Sequence, residues 1–414
     1  MAAHERSGTA GPSLAAADSA GTAAVIPPPD HVPVQSGPGG IPWRSVLLPG
    51  LLALLIGALY AGWRLAEANW DPLALAELGS RFARGAPDGS PGYDGQFNYY
   101  IATTPSPQEV VGHLDVPAYR YQRILYPLLA RLLALARPAW IPWTLLGLIL
   151  VAHALGTAGL AAYLEGKGLK GQYALSYGLW VGLIAPVGLD LNEPLSYALV
   201  IAAWLLMERR RPLAAAAGLG LALFAKETAL IFWLAALVGT LLGSRDRRFL
   251  AGLSAGGLAF AAWQLWLLAQ FGRIGLGSGG DMATPFEWIP FMGLWRVGTV
   301  NPRALVLFLI IFGPTVVGPA IWGAIAALRT LFAGSRGPAE FGLLFSSVAI
   351  MVLPFSTFRE PLGLVRATDG LVLAVVLFAS GQYAAAQAGD RKRWLRPVRL
   401  ALFWIPLLAI LLNR

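Results

Sequence analysis

Residues 304–328 read ALVLFLIIFGPTVVGPAIWGAIAAL, with no Asp, Glu, Lys or Arg from end to end. Wound as an α-helix at 1.5 Å per residue, the run would reach about 37 Å, enough to cross a hydrocarbon core of about 30 Å. A similar run, VLLPGLLALLIGALYAG at 46–62, stands near the start, and others recur along the chain. Of the 414 residues 56% are hydrophobic and 13% charged, whereas a soluble domain carries roughly a quarter charged. Such a chain cannot clothe a soluble surface, and the reading is an all-α polytopic membrane protein. The formal charge of +9 raises nucleic acid as a partner. The basic residues, however, come in short clusters between apolar runs, the pattern of topology signals, so no nucleic-acid partner is expected. With no cysteine, disulfides, thiolate metal sites and cysteine nucleophiles are excluded.

Residues 1–43 are rich in Ala, Gly, Ser and Pro and hold no apolar stretch suited to a signal-peptide core. They read as a disordered cytoplasmic tail ahead of a membrane domain over 44–414. Five later connections are basic: Lys167 and Lys170; Arg209, Arg210 and Arg211; Arg245, Arg247 and Arg248; Arg329 and Arg336; and Arg391, Lys392, Arg393, Arg396 and Arg399. The positive-inside rule places all five in the cytoplasm. Turns to the outside then fall at 190–194, 226–227, 271–303 and 357–369. The count is about eleven transmembrane helices, with a large first external loop over 67–139 and an external flap loop over 271–303. The flap is Gly-rich and then aromatic, and its Trp288 and Trp295 suit either a sugar ring or the membrane-interface belt. Between Arg211 and Arg245 lie 33 residues, too many for one span and too few for two of about 20. A hairpin of two short helices would leave Lys226 and Glu227 recessed, either pairing with each other or lining a water-filled cavity.

The polar residues of the external side form five groups. YDGQFNYYIA at 93–102 sets Asp94 between a turn-rich stretch and a short helical run, as a helix N-cap or as a catalytic carboxylate. AYRYQRILYPLLARLLALAR at 118–137 puts Arg120, Arg123 and Arg131 within about 80° on one helix. That predicts an interfacial helix with a cationic stripe for headgroups or, at Arg120 and Arg123, for a phosphate. DLNEP at 190–194 offers Asp190 and Glu193 at a helix start. AKETAL at 225–230 holds Lys226 and Glu227. FREPLGLVRATDG at 358–370 holds Arg359, Glu360, Arg366 and Asp369, as a self-satisfied ion network or as part of a site. The four histidines, His4, His31, His113 and His153, show no metal-ligand spacing, and no phosphate-loop or dinucleotide fingerprint is present. These groups gain weight together because the topology puts all five on one side.

YDGQFNYYIA, AYRYQRILYPLLA, DLNEPL and KETALI together resemble the bacterial cell-surface glycopolymer formation proteins, polytopic proteins related to the C-type (GT-C) membrane glycosyltransferases. The likeness covers most of the chain, from Trp43 to Gly370. It implies a GT-C-like bundle whose first external loop carries interfacial helices and the catalytic acid, with a sugar donor on a polyprenyl phosphate. Carried onto this chain, the acid is Asp94; the residues around it are read as an acceptor pocket of Tyr93, Gly95, Gln96 and Tyr100, walled by Phe97 and Asn98. On the same reading Arg120, Arg123, Lys226 and Arg366 take the donor phosphate, supported by Glu193, Glu227, Arg359 and Asp190. Many GT-C enzymes pair two acids in this loop, whereas Gly95 follows Asp94 here, so no metal ligands are assigned and a divalent ion is left open. The expected cofactor is none beyond the lipid-linked sugar. The expected partners are membrane lipids, a polyprenyl-phosphate sugar and a glycan or glycolipid acceptor of the cell envelope, reached from the outer face of a bacterial plasma (inner) membrane. The expected reaction is an inverting sugar transfer. The alternatives are a transporter or flippase of lipid-linked sugars, or a non-catalytic subunit of glycopolymer assembly. The large first loop and the lack of symmetric halves favour the enzyme.

Overall fold

The computed structural model describes residues 43–387 and 389–413; the tail expected over 1–43 lies outside them but for Trp43. No strand occurs among the described residues. Six helices are long and apolar enough to cross a membrane: Trp43–Glu67, Pro138–Gly166, Arg247–Phe271, Pro302–Phe332, Pro361–Ala385 and Arg391–Leu412. Pro212–Ala225, Glu227–Leu242 and Pro338–Met351 are shorter apolar helices. The chain is an all-helical multi-pass membrane protein.

Local chemistry sets the ends of these helices. The labels are α1 (Trp43–Glu67), α2 (Gly95–Thr103), α3 (Pro117–Tyr121), α4 (Leu125–Leu133), α5 (Ile141–Gly166), α6 (Glu193–Glu208) and α7 (Pro212–Ala225). There follow α8 (Leu230–Leu242), α9 (Arg247–Phe271), α10 (Met292–Val300), α11 (Pro302–Phe332), α12 (Pro338–Met351), α13 (Pro361–Ala385) and α14 (Arg391–Leu400). Proline opens α3, α7, α11, α12 and α13, where its missing N–H has no helical partner to lose. Asp246 caps α9 by accepting from the amides of Arg248 and Phe249, and Gly272 ends it at φ 70°. Inside α11 the residues Gly313–Val317 wind as a π-turn around Pro314, which has no N–H to give to an α-helical ladder.

Helices α1, α5, α6, α7 and α9 pack in succession, each against the next, while α8 packs on α12 and α12 on both α11 and α13. Helix α13 is the most enclosed, with 83% of its most apolar window buried. Between apolar helices in lipid the attraction is close packing rather than water exclusion, so small residues meet at the crossings. A Cβ on Gly220 of α7 would stand 3.3 Å from the Gly256 Cα of α9.

The α7–α8 hairpin has 14 and 13 residues, the short pair that the spacing predicts. The interval from Lys170 to Asp190 departs from expectation. It is not one span but four short turns of helix, Gly171–Ala174, Leu175–Gly178, Val181–Ile184 and Ala185–Gly188. Glycines at 171, 178, 182 and 188 and Pro186 interrupt it. Irregular backbone at membrane depth is tolerated where protein encloses it, and Trp180 to Asp190 are all buried.

Side-chain and backbone contacts collect the basic connections at one end of the bundle. Lys167 pairs with Glu208 at 2.7 Å, Arg399 reaches the Tyr173 hydroxyl, Gly171 abuts the Ser45 carbonyl, and Gly239 and Gly243 abut 336–338. The first loop, the 225–229 turn, the flap and 354–366 meet at the other end.

Candidate functional site

The site is assembled from five separate places along the chain. Tyr93 and Asp94 precede α2, Arg120 and Arg123 flank the end of α3, Lys226 and Glu227 form the α7–α8 turn, Glu193 opens α6 and Arg366 stands in the second turn of α13. Asp94 does not cap α2: its side chain makes no cap hydrogen bond. Its Oδ1 accepts from Arg120 Nη1 at 2.9 Å and its Oδ2 from Arg366 Nη2 at 3.1 Å. The carboxylate keeps 29% exposure while both arginines are nearly buried.

Each arginine holds a second acid on its far side. Arg120 makes a bidentate pair with Asp115 through Nε and Nη2, both at 2.7 Å, and lies 4.1 Å above the Phe97 ring. Arg366 Nε donates to Glu193 Oε1 at 2.6 Å, and the same oxygen takes Lys226 Nζ at 2.6 Å. Arg123 is held by Glu227 at 2.5 and 2.7 Å and by the Tyr119 hydroxyl. Asp94, Asp115, Glu193 and Glu227 therefore balance Arg120, Arg123, Lys226 and Arg366 in one charge-neutral cluster. Burial alone would push the Asp94 carboxyl up, but Arg120 and then Arg366 outweigh it and hold it well below the usual carboxylate range. Asp115 is lowered too, burial being outweighed by the hydrogen bond and charge of Arg120.

Several expectations are corrected. The cationic stripe is not a stripe: 117–133 breaks into α3 and α4, and Arg120 and Arg123 turn inward to different acids rather than outward to headgroups. Arg131 donates to the Ala102 and Thr103 carbonyls, serving the C-terminal end of α2. Lys226 and Glu227 do not neutralise each other, and Lys226 is buried against Glu193 rather than open to a water-filled cavity. Gly95 is spaced for packing rather than for substrate. A Cβ there would lie 2.1 Å from the Leu189 carbonyl oxygen.

Gln96 latches the preceding loop, accepting from the Gly79 amide and donating to the Pro91 carbonyl. Tyr100 stacks on His113. Arg359 is exposed over Phe355, outside the cluster. Asp190 is fully buried, its carboxylate makes no hydrogen bond among the described residues, and its carbonyl accepts from Asn98. Tyr93 does join the cluster: its hydroxyl donates to Glu360 and accepts from Arg366, both at 2.9 Å.

Asp115 and Tyr119 belong to the cluster but did not stand out in the sequence as site residues, while Glu360, one of the polar residues of 358–370, only borders it through the Tyr93 hydroxyl. The signal available was weak: Asp115 stands five residues before Arg120, in a loop whose path the chain alone does not give. The flap covers this corner. The Asp281 amide donates to Asp115 at 3.2 Å, Arg81 pairs with Asp281, and Thr284 bonds Ser356. Trp288 and Trp295 are exposed, at 97% and 64%. Among the described residues no group of three or more His, Asp or Glu side chains is arranged to hold a metal ion, and Asp94, Asp115, Glu193 and Glu227 each already face a cation.

No family profile, curated protein or solved structure matches this chain.

Proposed function

We propose that the protein is an integral-membrane glycosyltransferase of GT-C type, moving a sugar from a polyprenyl-phosphate donor to a glycan or glycolipid acceptor of the cell envelope. The observation that carries the proposal is the Asp94 carboxylate, partly exposed and clamped between two arginines at the end of the bundle opposite the basic connections. The acceptor hydroxyl oxygen attacks the anomeric carbon, the bond from that carbon to the phosphate oxygen breaks with inversion, and polyprenyl phosphate leaves with the bonding pair. Asp94 takes the hydroxyl proton.

A carboxylate held so low is a poor base, so the mechanism assigns the arginines a second task. A donor phosphate has the geometry to replace Asp94 as their partner, since a guanidinium binds two phosphate oxygens as readily as two carboxylate oxygens. Turning Arg120 and Arg366 onto the phosphate frees Asp94 and raises its basicity. The same cations then stabilise the departing phosphate charge. Asp115 and Glu193 keep both arginines aligned during the exchange.

The test is to incubate the purified full chain with a panel of polyprenyl-phosphate sugars and acceptor glycans and to measure released polyprenyl phosphate. Release that depends on acceptor supports transfer. A protein that only carries lipid-linked sugars across the membrane leaves that bond intact and releases none.

A further inference from the structure

At the basic end of the bundle, opposite the cluster, a cavity of about 300 Å³ opens between α11 and α14. Its charged lining is Arg329 and Arg393, its walls are the rings of Trp322 and Trp394, and Thr330 and Pro397 complete it. No acid lines it. Among the described residues neither arginine has an ion-pair partner. The nearby acids are otherwise placed: Glu340 is buried and accepts from Ser335 and Gln382, and Asp390 is exposed at the start of α14. The Thr330 hydroxyl is turned back onto the Ala326 and Ala327 carbonyls, so the two guanidiniums are the cavity's cationic donors.

We propose that this cavity binds the phosphate headgroup of an anionic phospholipid. Two uncompensated guanidiniums over a small cavity call for an anion with several acceptor oxygens. Indole walls suit the membrane–water boundary, where one side of the ligand is wet and the other apolar. Close in sequence to the lining residues Ala333 and Pro397, Phe332, Leu400 and Phe403 stand exposed at 88%, 60% and 70%, apolar surface suited to acyl chains. Basic pockets between membrane helices on the side of the positive loops are a known setting for acidic lipid headgroups. Helix α14 adds Arg391, Lys392, Arg396 and Arg399 around the same end.

The experiment titrates the detergent-solubilised full chain with dioleoylphosphatidylglycerol and, separately, dioleoylphosphatidylcholine, reading lipid adducts by native mass spectrometry. Phosphatidylglycerol should bind at least tenfold tighter in its first site. Arg329→Gln with Arg393→Gln should weaken that site by about fivefold for each charge removed. Arg209→Gln with Arg210→Gln, an equal charge change at the same end but outside the cavity, should alter it less than twofold. Arg393→Gln alone, on an exposed position, serves if the double variant is not monodisperse. Equal losses in the two double variants, or equal affinity for the two lipids, would overturn the proposal in favour of diffuse surface charge. Displacement of the lipid by millimolar inorganic phosphate would overturn it in favour of a free-phosphate site.

Discussion

Asp94 is the residue at which charge and shape can be separated. Asp94→Asn keeps the shape, and each arginine keeps one carboxylate, Arg120 with Asp115 and Arg366 with Glu193. The variant should remain folded, with a modest fall in melting temperature, while turnover drops by about 100-fold or more, the usual scale for a positioned base. Sugar transfer near the normal rate would move the base elsewhere. The pH profile tests the arginine exchange. In the free protein Asp94 and Asp115 have lowered carboxyl pKa values, so their contribution to stability is complete above about pH 4 and is lost as the pH falls through their lower folded values. The acid limb of kcat/KM, which reports the free protein, should therefore show no inflection from Asp94 above about pH 4. Bound donor phosphate draws the arginines away and raises Asp94, so the acid limb of kcat should lie at higher pH than that of kcat/KM. Coincident limbs would mean that the clamp stays shut during turnover.

At the level of elements, the site depends on how α2 and the opening turn of α6 are seated. Gly95→Ala places a methyl within 2.1 Å of the Leu189 carbonyl oxygen, which neither backbone can yield without shifting. The expected result is a loss of about 1–3 kcal/mol in stability and a displaced Asp94, seen as lower thermal stability together with lower turnover. Full stability in Gly95→Ala would show that α2 is free to move. Glu193 is the other hinge of the cluster. It is fully buried and holds both Lys226 and Arg366 through one oxygen, so Glu193→Gln leaves Lys226 without a carboxylate and Arg366 with Asp94 alone, and should cost about 3 kcal/mol. Lys226→Met leaves Glu193 with Arg366 and should be milder in stability. Chemical denaturation of the two variants distinguishes them; the reverse order would mean that Lys226 rather than Glu193 organises the buried end.

Over the whole molecule, the collection of basic connections at one end and the acid–base cluster at the other makes topology testable. The chain has no native cysteine, so single cysteines report cleanly. Asp88→Cys and Met282→Cys, at exposed positions near the cluster, should react with an impermeant thiol reagent in intact cells. Ser244→Cys, exposed among the basic connections, should not. Labelling of Ser244→Cys from outside would invert the molecule and with it the side on which donor and acceptor must be supplied.

The membrane class, the short α7–α8 hairpin and the grouping of charged residues at two ends were legible in the sequence, because they depend on counts along the chain. Hydropathy over about twenty residues and the sign of the connecting charges are local quantities, set by the thickness of the bilayer and its leaflet asymmetry. Asp94, Glu193, Lys226 and Arg366 could be singled out as polar residues in apolar surroundings. Their partners could not. Whether Lys226 pairs with its neighbour Glu227 or with Glu193, 33 positions away, depends on which helices are adjacent, and periodicity carries no record of that. The helix expected over 118–137 broke for the same reason: Arg120 and Arg123 turn to Asp94, Asp115 and Glu227 rather than forming a continuous amphipathic face. The interval from Lys170 to Asp190 has the length of a span, yet its backbone could leave the regular helix because surrounding helices enclose it. The sequence by itself thus determined a helical membrane chain with charge sorted to its ends, since each of those properties is local. Only the tertiary structure decided which charges meet, because a buried ion pair is a relation between distant segments that only their packing creates.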